Sequence, residues 1–206
     1  MTASVSAQVA RNARKFPGRV ALIDETSRLT YGELDDRATR LAAFLAAEGV
    51  MPGDKVALLA KSSASWVVAY LATLKLRATC VPLNTRLMPS DIEANLVDAR
   101  CRFVITTAPL LQTHVLPHSR LPYVLIDDDP GDRGLRAVLA RDPAGFSAPT
   151  PSDDDLQLIM FTGGTTGRSK GVMLTHRNLM TMTLGHLADV EALDTDCSQL
   201  HAAPMS

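Results

Sequence analysis

The sequence predicts an α/β protein with a largely parallel sheet, and three observations carry that prediction. Short apolar runs such as Val56-Ala57-Leu58-Leu59-Ala60, Cys80-Val81-Pro82-Leu83 and Phe103-Val104-Ile105 alternate with segments of helical apolar spacing, the rhythm of βαβ crossovers. Two helical segments open on a hydroxyl residue followed three places later by glutamate, Thr30-Tyr31-Gly32-Glu33 and Ser90-Asp91-Ile92-Glu93, the pattern of a capping box. A further apolar run, Leu156 to Phe161, ends in a stretch from Thr162 to Gly171 that holds four glycines, three threonines, a serine and two cations.

With 206 residues, 46% hydrophobic and 21% charged, the chain can bury a substantial core and is not of disordered composition. A formal charge of -1 and a pI near 6.5 provide no basic field for a nucleic-acid backbone, and no Lys/Arg block addresses an anionic membrane. Cys80, Cys101 and Cys197 are odd in number and lack a Cys-x-x-Cys pair, so a disulfide scaffold or zinc site is poorly supported and buried thiols in a reducing cytosol are expected. The longest apolar run, Trp66 to Leu74, is too short to span a membrane.

Val5, Val9, Ala10 and Ala13 stand at helical spacing, and Val20-Ala21-Leu22-Ile23 follows as a strand. The absence of acidic residues before Asp24, with Arg11, Arg14, Lys15 and Arg19 present, is shared with transit peptides, but Phe16-Pro17 ends the segment as a helix stop does. A cytoplasmic protein is the expectation. The helix opened by Thr30 carries Leu34, Ala38, Leu41 and Leu45 on its apolar face and stops at Gly49. Pro52-Gly53-Asp54 turns the chain into the strand at 56–60, and Ser62 or Ser63 can cap the next helix, with Trp66, Val67, Tyr70, Leu71 and Leu74. Ser90 is expected to cap a helix through Leu96 and Val97. A helix broken near Pro117 and a strand at 123–126 follow.

Asp127 to Asp132 reads as an acidic loop, and residues 142–155, with Pro143, Gly145, Pro149 and Pro151, read as a linker. The expected division is a first αβ unit over 1–141, the linker over 142–155, and the start of a second αβ unit over 156–206. The aspartate runs 127–129 and 153–155 have no calcium-loop spacing and read as solvated turn and linker charge. His114 and His118 are separated by Pro117, which breaks the helix that would align them on zinc. Thr175 is placed to cap a helix running to about Val190, and a last strand is expected near Leu200.

The glycines at 163, 164 and 167 remove Cβ atoms that would keep a ligand off the backbone, so successive N–H groups can line an anion-binding nest. Hydroxyls of Thr162, Thr165, Thr166 and Ser169 add donors, and Lys170 adds a mobile point charge suited to a terminal phosphate. A polyphosphate is the natural ligand. The Walker spacing fails, since Arg168 or Ser169 stands where its second glycine is required, and the Gly-x-Gly-x-x-Gly dinucleotide pattern fails at Thr162.

The stretch Thr162-Gly-Gly-Thr-Thr-Gly-Arg-Ser-Lys-Gly-Val-Met-Leu-Thr-His-Arg-Asn178 resembles the signature of the AMP-forming acyl-CoA synthetase, luciferase and adenylation-domain superfamily, whose common form is Thr-Ser-Gly-Thr-Thr-Gly-x-Pro-Lys-Gly-Val. Gly163 stands where serine is usual and Ser169 where proline is usual. Leu29-Thr30-Tyr31, Pro52 to Ala57 and Val81-Pro82-Leu83-Asn84 extend the resemblance over nearly the whole chain. It implies the layered αβ sheets of the N-terminal domain of adenylate-forming enzymes, truncated before the family's adenine, ribose and catalytic-lysine motifs. Most similar is a fatty-acid-CoA ligase, which joins a carboxylate to ATP, expels pyrophosphate and passes the acyl group to CoA. The site residues so implied are Thr162, Gly163, Gly164, Thr165, Thr166, Gly167 and Lys170, with Thr162 also toward Mg²⁺ and no catalytic residue in this stretch. The implied partners are a small carboxylic acid and the C-terminal remainder of the enzyme, without nucleic acid or transmembrane segment; alone, the chain is expected to form no acyl-adenylate. Two other readings stand beside this one: a non-catalytic or regulatory nucleotide-binding remnant, and an amino-acid adenylation domain.

Overall fold

The computed structural model describes residues 4–115, 119–127, 129–163, 169–189 and 197–205. Helix α1, Val5–Lys15, is capped by Ser4, whose hydroxyl accepts from Ala7 N–H at 3.1 Å. Strands β1, Val20–Ile23, and β2, Arg28–Thr30, form a small antiparallel ribbon. Helix α2, Tyr31–Ala47, starts with the expected capping box: Thr30 Oγ1 accepts from Glu33 N–H and Glu33 accepts from Thr30 N–H. It ends before Gly49, whose φ of 88° is open to glycine without strain.

The chain then alternates β3 (Lys55–Leu59), α3 (Ala64–Lys75), β4 (Thr79–Pro82), α4 (Pro89–Asp98) and β5 (Cys101–Thr106). A short α5, Ala108–Leu110, runs into a π-helical turn over Leu111–Val115, followed by β6 (Tyr123–Leu125) and α6 (Leu135–Leu139). Strands β7 (Leu156–Thr162) and β8 (Lys170–Thr175) precede α7 (His176–Asp189). The large sheet has six strands in the order β6-β5-β3-β4-β7-β8, parallel throughout except for the antiparallel β7–β8 pair.

Successive residues of β3 serve opposite cores, which is why its sequence shows an unbroken apolar run. Val56 and Leu58 pack with Leu41, Leu45, Leu71 and Phe103 on one face, while Ala57 and Leu59 pack with Val81, Ile92 and Val104 on the other. Each fully buried leucine stabilises the sheet by about 1.5–3 kcal/mol relative to exposure. Ser63, rather than Ser62, caps α3 by accepting from Trp66 N–H. Among the described residues no helix is long and apolar enough to cross a membrane.

Five expectations are corrected. Helix α4 starts a residue before Ser90, at Pro89, with Met88 as an N-cap lacking any side-chain bond; proline at the first helical position is pre-set for helical φ and moves Ser90 inside the first turn. Residues 198–203 form no strand, and Leu200 is almost wholly exposed, because no other strand pairs with them among the described residues. Cys80 and Cys101 are buried, but Cys197 is exposed. Asp155 is held in a bidentate ion pair with Arg77 instead of standing as linker charge. Asp127 is likewise engaged, accepting from Ala108 N–H at 2.8 Å.

Three elements, β2, α6 and β8, lie outside the sequence expectations. The α6 start depends on a close approach: a Cβ on Gly134 would collide with the Asp129 carbonyl oxygen. Val172 and Met173 of β8 and Met182 and Leu184 of α7 are exposed apolar side chains.

Candidate functional site

Strands β7 and β8 form an antiparallel hairpin whose last register pair is Thr162 opposite Lys170. The glycine- and threonine-rich stretch is therefore the hairpin's own loop, and both ends of it are fixed by backbone pairing. Thr162 Oγ1 lies 3.4 Å from the Lys170 carbonyl oxygen, so the hydroxyl and the lysine meet at the loop base. Gly163 and Lys170 are exposed. No carboxylate pairs with Lys170 among the described residues, which leaves its ammonium available to an anion. Gly164, Thr165, Thr166 and Gly167 lie outside the described residues.

A Cβ at Gly163 would meet nothing within 4 Å, so the site has room for the serine that the resemblance leads one to expect. Gly171 is different. A Cβ there would come within 2.9 Å of the Ile159 side chain on the adjacent strand, and Ile159 is buried in the second core.

Beside the β4–β7 pairing, several side-chain contacts tie the hairpin to the body of the protein. Ser169 Oγ donates to Asn95 Oδ1 of α4 at 2.7 Å. Gln157 of β7 donates to the Tyr70 hydroxyl of α3, and burial pushes the Tyr70 phenol above its ordinary value, so the hydroxyl stays neutral. At the start of β7, Arg77 grips Asp155, and the guanidinium holds that carboxyl below the usual carboxylate range.

The segment after β8 explains the Leu-Thr-His-Arg-Asn pattern. Asn178 N–H donates to Thr175 Oγ1 while Asn178 Oδ1 accepts from Thr175 N–H, a reciprocal cap built with asparagine at the third helical position. His176 between them is buried, and its Nδ1 has no hydrogen-bond partner. Burial pushes its imidazole below the ordinary value, with Asp155 and Asp153 opposing. Arg177 pairs with Asp154 at the surface.

A cleft of about 1140 Å³ lies near the carboxyl ends of β3, β5 and β6, with Asp24, Lys61, Thr107 and Arg136 in its wall. No described loop residue lines it. Asp24 there accepts from Thr26, Ser27 and Ala64 N–H groups, bonds that hold its carboxyl well below the usual range and join the β1–β2 turn to the start of α3. Among the described residues no group of three or more His, Cys, Asp or Glu side chains could hold a metal ion. His114 bonds to its neighbour Thr113, and His118 lies outside the described residues.

Asn95, Arg77 and Gln157 were not singled out by sequence reasoning, and His176 entered only as part of the signature's Leu-Thr-His-Arg-Asn tail. Asn95 left a signal: it is polar between Ile92 and Leu96 on an otherwise apolar helix face. Arg77 and Gln157 carry none, because their partners lie far along the chain.

A sequence model of the family described as AMP-binding enzyme matches residues 9–206. Tyrocidine synthase 2 of Brevibacillus parabrevis is 39% identical over 178 residues, which cover 85% of this chain and 5% of that protein. Feruloyl-CoA synthase of an Amycolatopsis species is 35% identical over 202 residues, covering 95% of this chain and 38% of the relative. The structure of O-succinylbenzoate coenzyme A synthetase from Bacillus subtilis, in complex with AMP, superposes with a TM-score of 0.77 at 25% identity, covering 90% of this chain and 46% of that one. The chain thus spans less than half the length of each.

Proposed function

Because the chain belongs to the AMP-binding enzyme family, we propose that it supplies the triphosphate-binding part of an ATP-dependent, AMP-forming acid:CoA ligase. The observation that supports this reading is the Thr162–Lys170 register, which closes a glycine-rich loop with a lysine at its base. In the complete reaction the substrate carboxylate attacks the α-phosphorus of ATP, pyrophosphate leaves, and the acyl group passes to the thiol of CoA. The part assigned to this chain is charge neutralisation: amides of the loop glycines, the hydroxyls of Thr162, Thr165 and Thr166, and the Lys170 ammonium face the β- and γ-phosphates as negative charge shifts onto pyrophosphate. Mg²⁺ supplies further charge compensation when bound. It would be held chiefly by phosphate oxygens and water, with the Thr162 hydroxyl as the protein ligand.

The substrate is a small carboxylic acid. The resemblance favours a fatty acid, and a relative named for feruloyl-CoA supports an aryl acid equally. The 39% identity to a tyrocidine synthase supports a second reading, an adenylation domain. We retain the division into 1–141, 142–155 and 156–206 as part of the proposal, with β7 joining the sheet beside β4.

Equilibrium binding of ATP and tripolyphosphate to the chain tests the loop assignment. Lys170→Ala should weaken both by about tenfold or more, the worth of a charge-assisted contact. Unchanged affinity in that variant, or no tripolyphosphate binding by the wild type, overturns it.

A further inference from the structure

We infer that Asn95 is a positioning residue for the loop: its buried amide fixes Ser169, and through it the start of β8 that presents Lys170. This rests on the phosphate-binding reading above. Asn95 is 1% exposed and sits between Ile92 and Leu96, both buried in the second core, so the amide is held by a helix face that cannot drift. Its Oδ1 accepts from Ser169 Oγ at 2.7 Å, and its Nδ2 is buried without any partner.

A half-satisfied amide on an apolar helix face works against stability, since the unmet donors have lost water and gained nothing. Leucine at that position would pack without the penalty. The return for keeping asparagine is the one bond that it does make, to the residue immediately before Lys170. The loop stem is then held on two sides, by the Thr162–Lys170 backbone pairing and by α4. Without the second hold, serine at 169 leaves its backbone dihedrals free, whereas a proline there would fix φ by its ring. The Asn95–Ser169 bond performs by a tertiary contact what a ring performs covalently. Holding a cation where the anion will sit removes part of the ordering cost of binding.

The test uses the full chain in four forms: wild type, Ser169→Ala, Asn95→Leu, and Asn95→Leu combined with Ser169→Pro. Hydrogen–deuterium exchange of the peptide spanning 163–173 is measured without ligand, beside tripolyphosphate affinity and the thermal midpoint. Ser169→Ala and Asn95→Leu should both speed exchange in that peptide and not in β3, and weaken tripolyphosphate binding by about fivefold, the loss of one hydrogen bond's ordering. Asn95→Leu should do so with a thermal midpoint equal to or above wild type, and the proline should restore both loop protection and affinity. A purely structural Asn95 would instead lower the midpoint and leave proline without effect, which overturns the inference, as do unchanged exchange and affinity in both single variants. Should Asn95→Leu fail to fold, Ser169→Ala alone decides. Should the wild type bind no tripolyphosphate, the phosphate-binding reading falls while the exchange data still decide whether Asn95 orders the stem.

Discussion

Arg77 and Asp155 form a two-point ion pair, with Arg77 Nε 2.7 Å from Asp155 Oδ2 and Nη2 2.7 Å from Oδ1. The same aspartate accepts from Ser152 N–H through its side chain and from His176 N–H through its carbonyl. It thereby joins the α3–β4 connection, the end of the 142–155 segment and the start of α7 at the point where β7 enters the sheet.

Arg77 makes this pair from a left-handed backbone, φ 57°, which costs a non-glycine residue about 1–2 kcal/mol. Arg77→Ala should lose the pair and keep the strain, while Arg77→Gly loses the pair and releases the strain. Urea midpoints should therefore fall in the order wild type, Arg77→Gly, Arg77→Ala. Glycine at or below alanine would show that the backbone at 77 is not under strain.

His176 predicts an acid limb in stability. Burial depresses the folded-state value of its imidazole relative to the unfolded chain, so the unfolded state binds the proton more readily. Stability contributed here is complete above the ordinary histidine value of about 6.5 and is lost progressively as the pH falls below it toward the folded value. Urea unfolding at a series of pH values should show wild-type stability declining across that window, and His176→Leu should flatten the decline whatever its effect at neutral pH. Parallel slopes in the two proteins would mean that the imidazole keeps its ordinary affinity for protons when folded.

Gly171 and Gly163 should respond oppositely to added side chains. Gly171→Ala places a methyl against Ile159 across the hairpin and should destabilise the β7–β8 pair, read as faster amide exchange in both strands. Gly163→Ser meets open space and should leave the thermal midpoint unchanged while adding a phosphate-facing hydroxyl. Tighter tripolyphosphate binding by Gly163→Ser is expected; a large loss of stability in it would contradict the open geometry.

The exposed surface of β8 and α7 predicts self-association. Met173 and Leu184 are 67% and 61% exposed, and exposed apolar side chains favour contact between molecules. Sedimentation over a range of concentrations should show association in the wild type that Met173→Lys with Leu184→Lys suppresses. A wild type that stays monomeric throughout the range would contradict it.

By itself the sequence determined those features whose hydrogen bonds close within a few residues or whose burial is unconditional. Thr30 and Glu33 cap each other across three positions, Gly49 needs only its own φ, and β3 is apolar at each of Val56 to Leu59 because both faces are covered. The proposed phosphate loop from Thr162 to Gly171 rests on the same kind of local signal, glycines, hydroxyls and a lysine at close spacing. Local signals also misled: Ser90 and Glu93 had the spacing of a cap, but Pro89 had already begun the helix. Tertiary structure alone decided that Ser169 meets Asn95 at a separation of 74 residues, that Arg77 meets Asp155 at 78, and that β8 turns back on β7. Those pairings follow from the β6-β5-β3-β4-β7-β8 strand order, in which chain-distant segments become neighbours. A polar side chain's partner across such a distance is fixed by which strands lie side by side, and no short window of sequence contains that information.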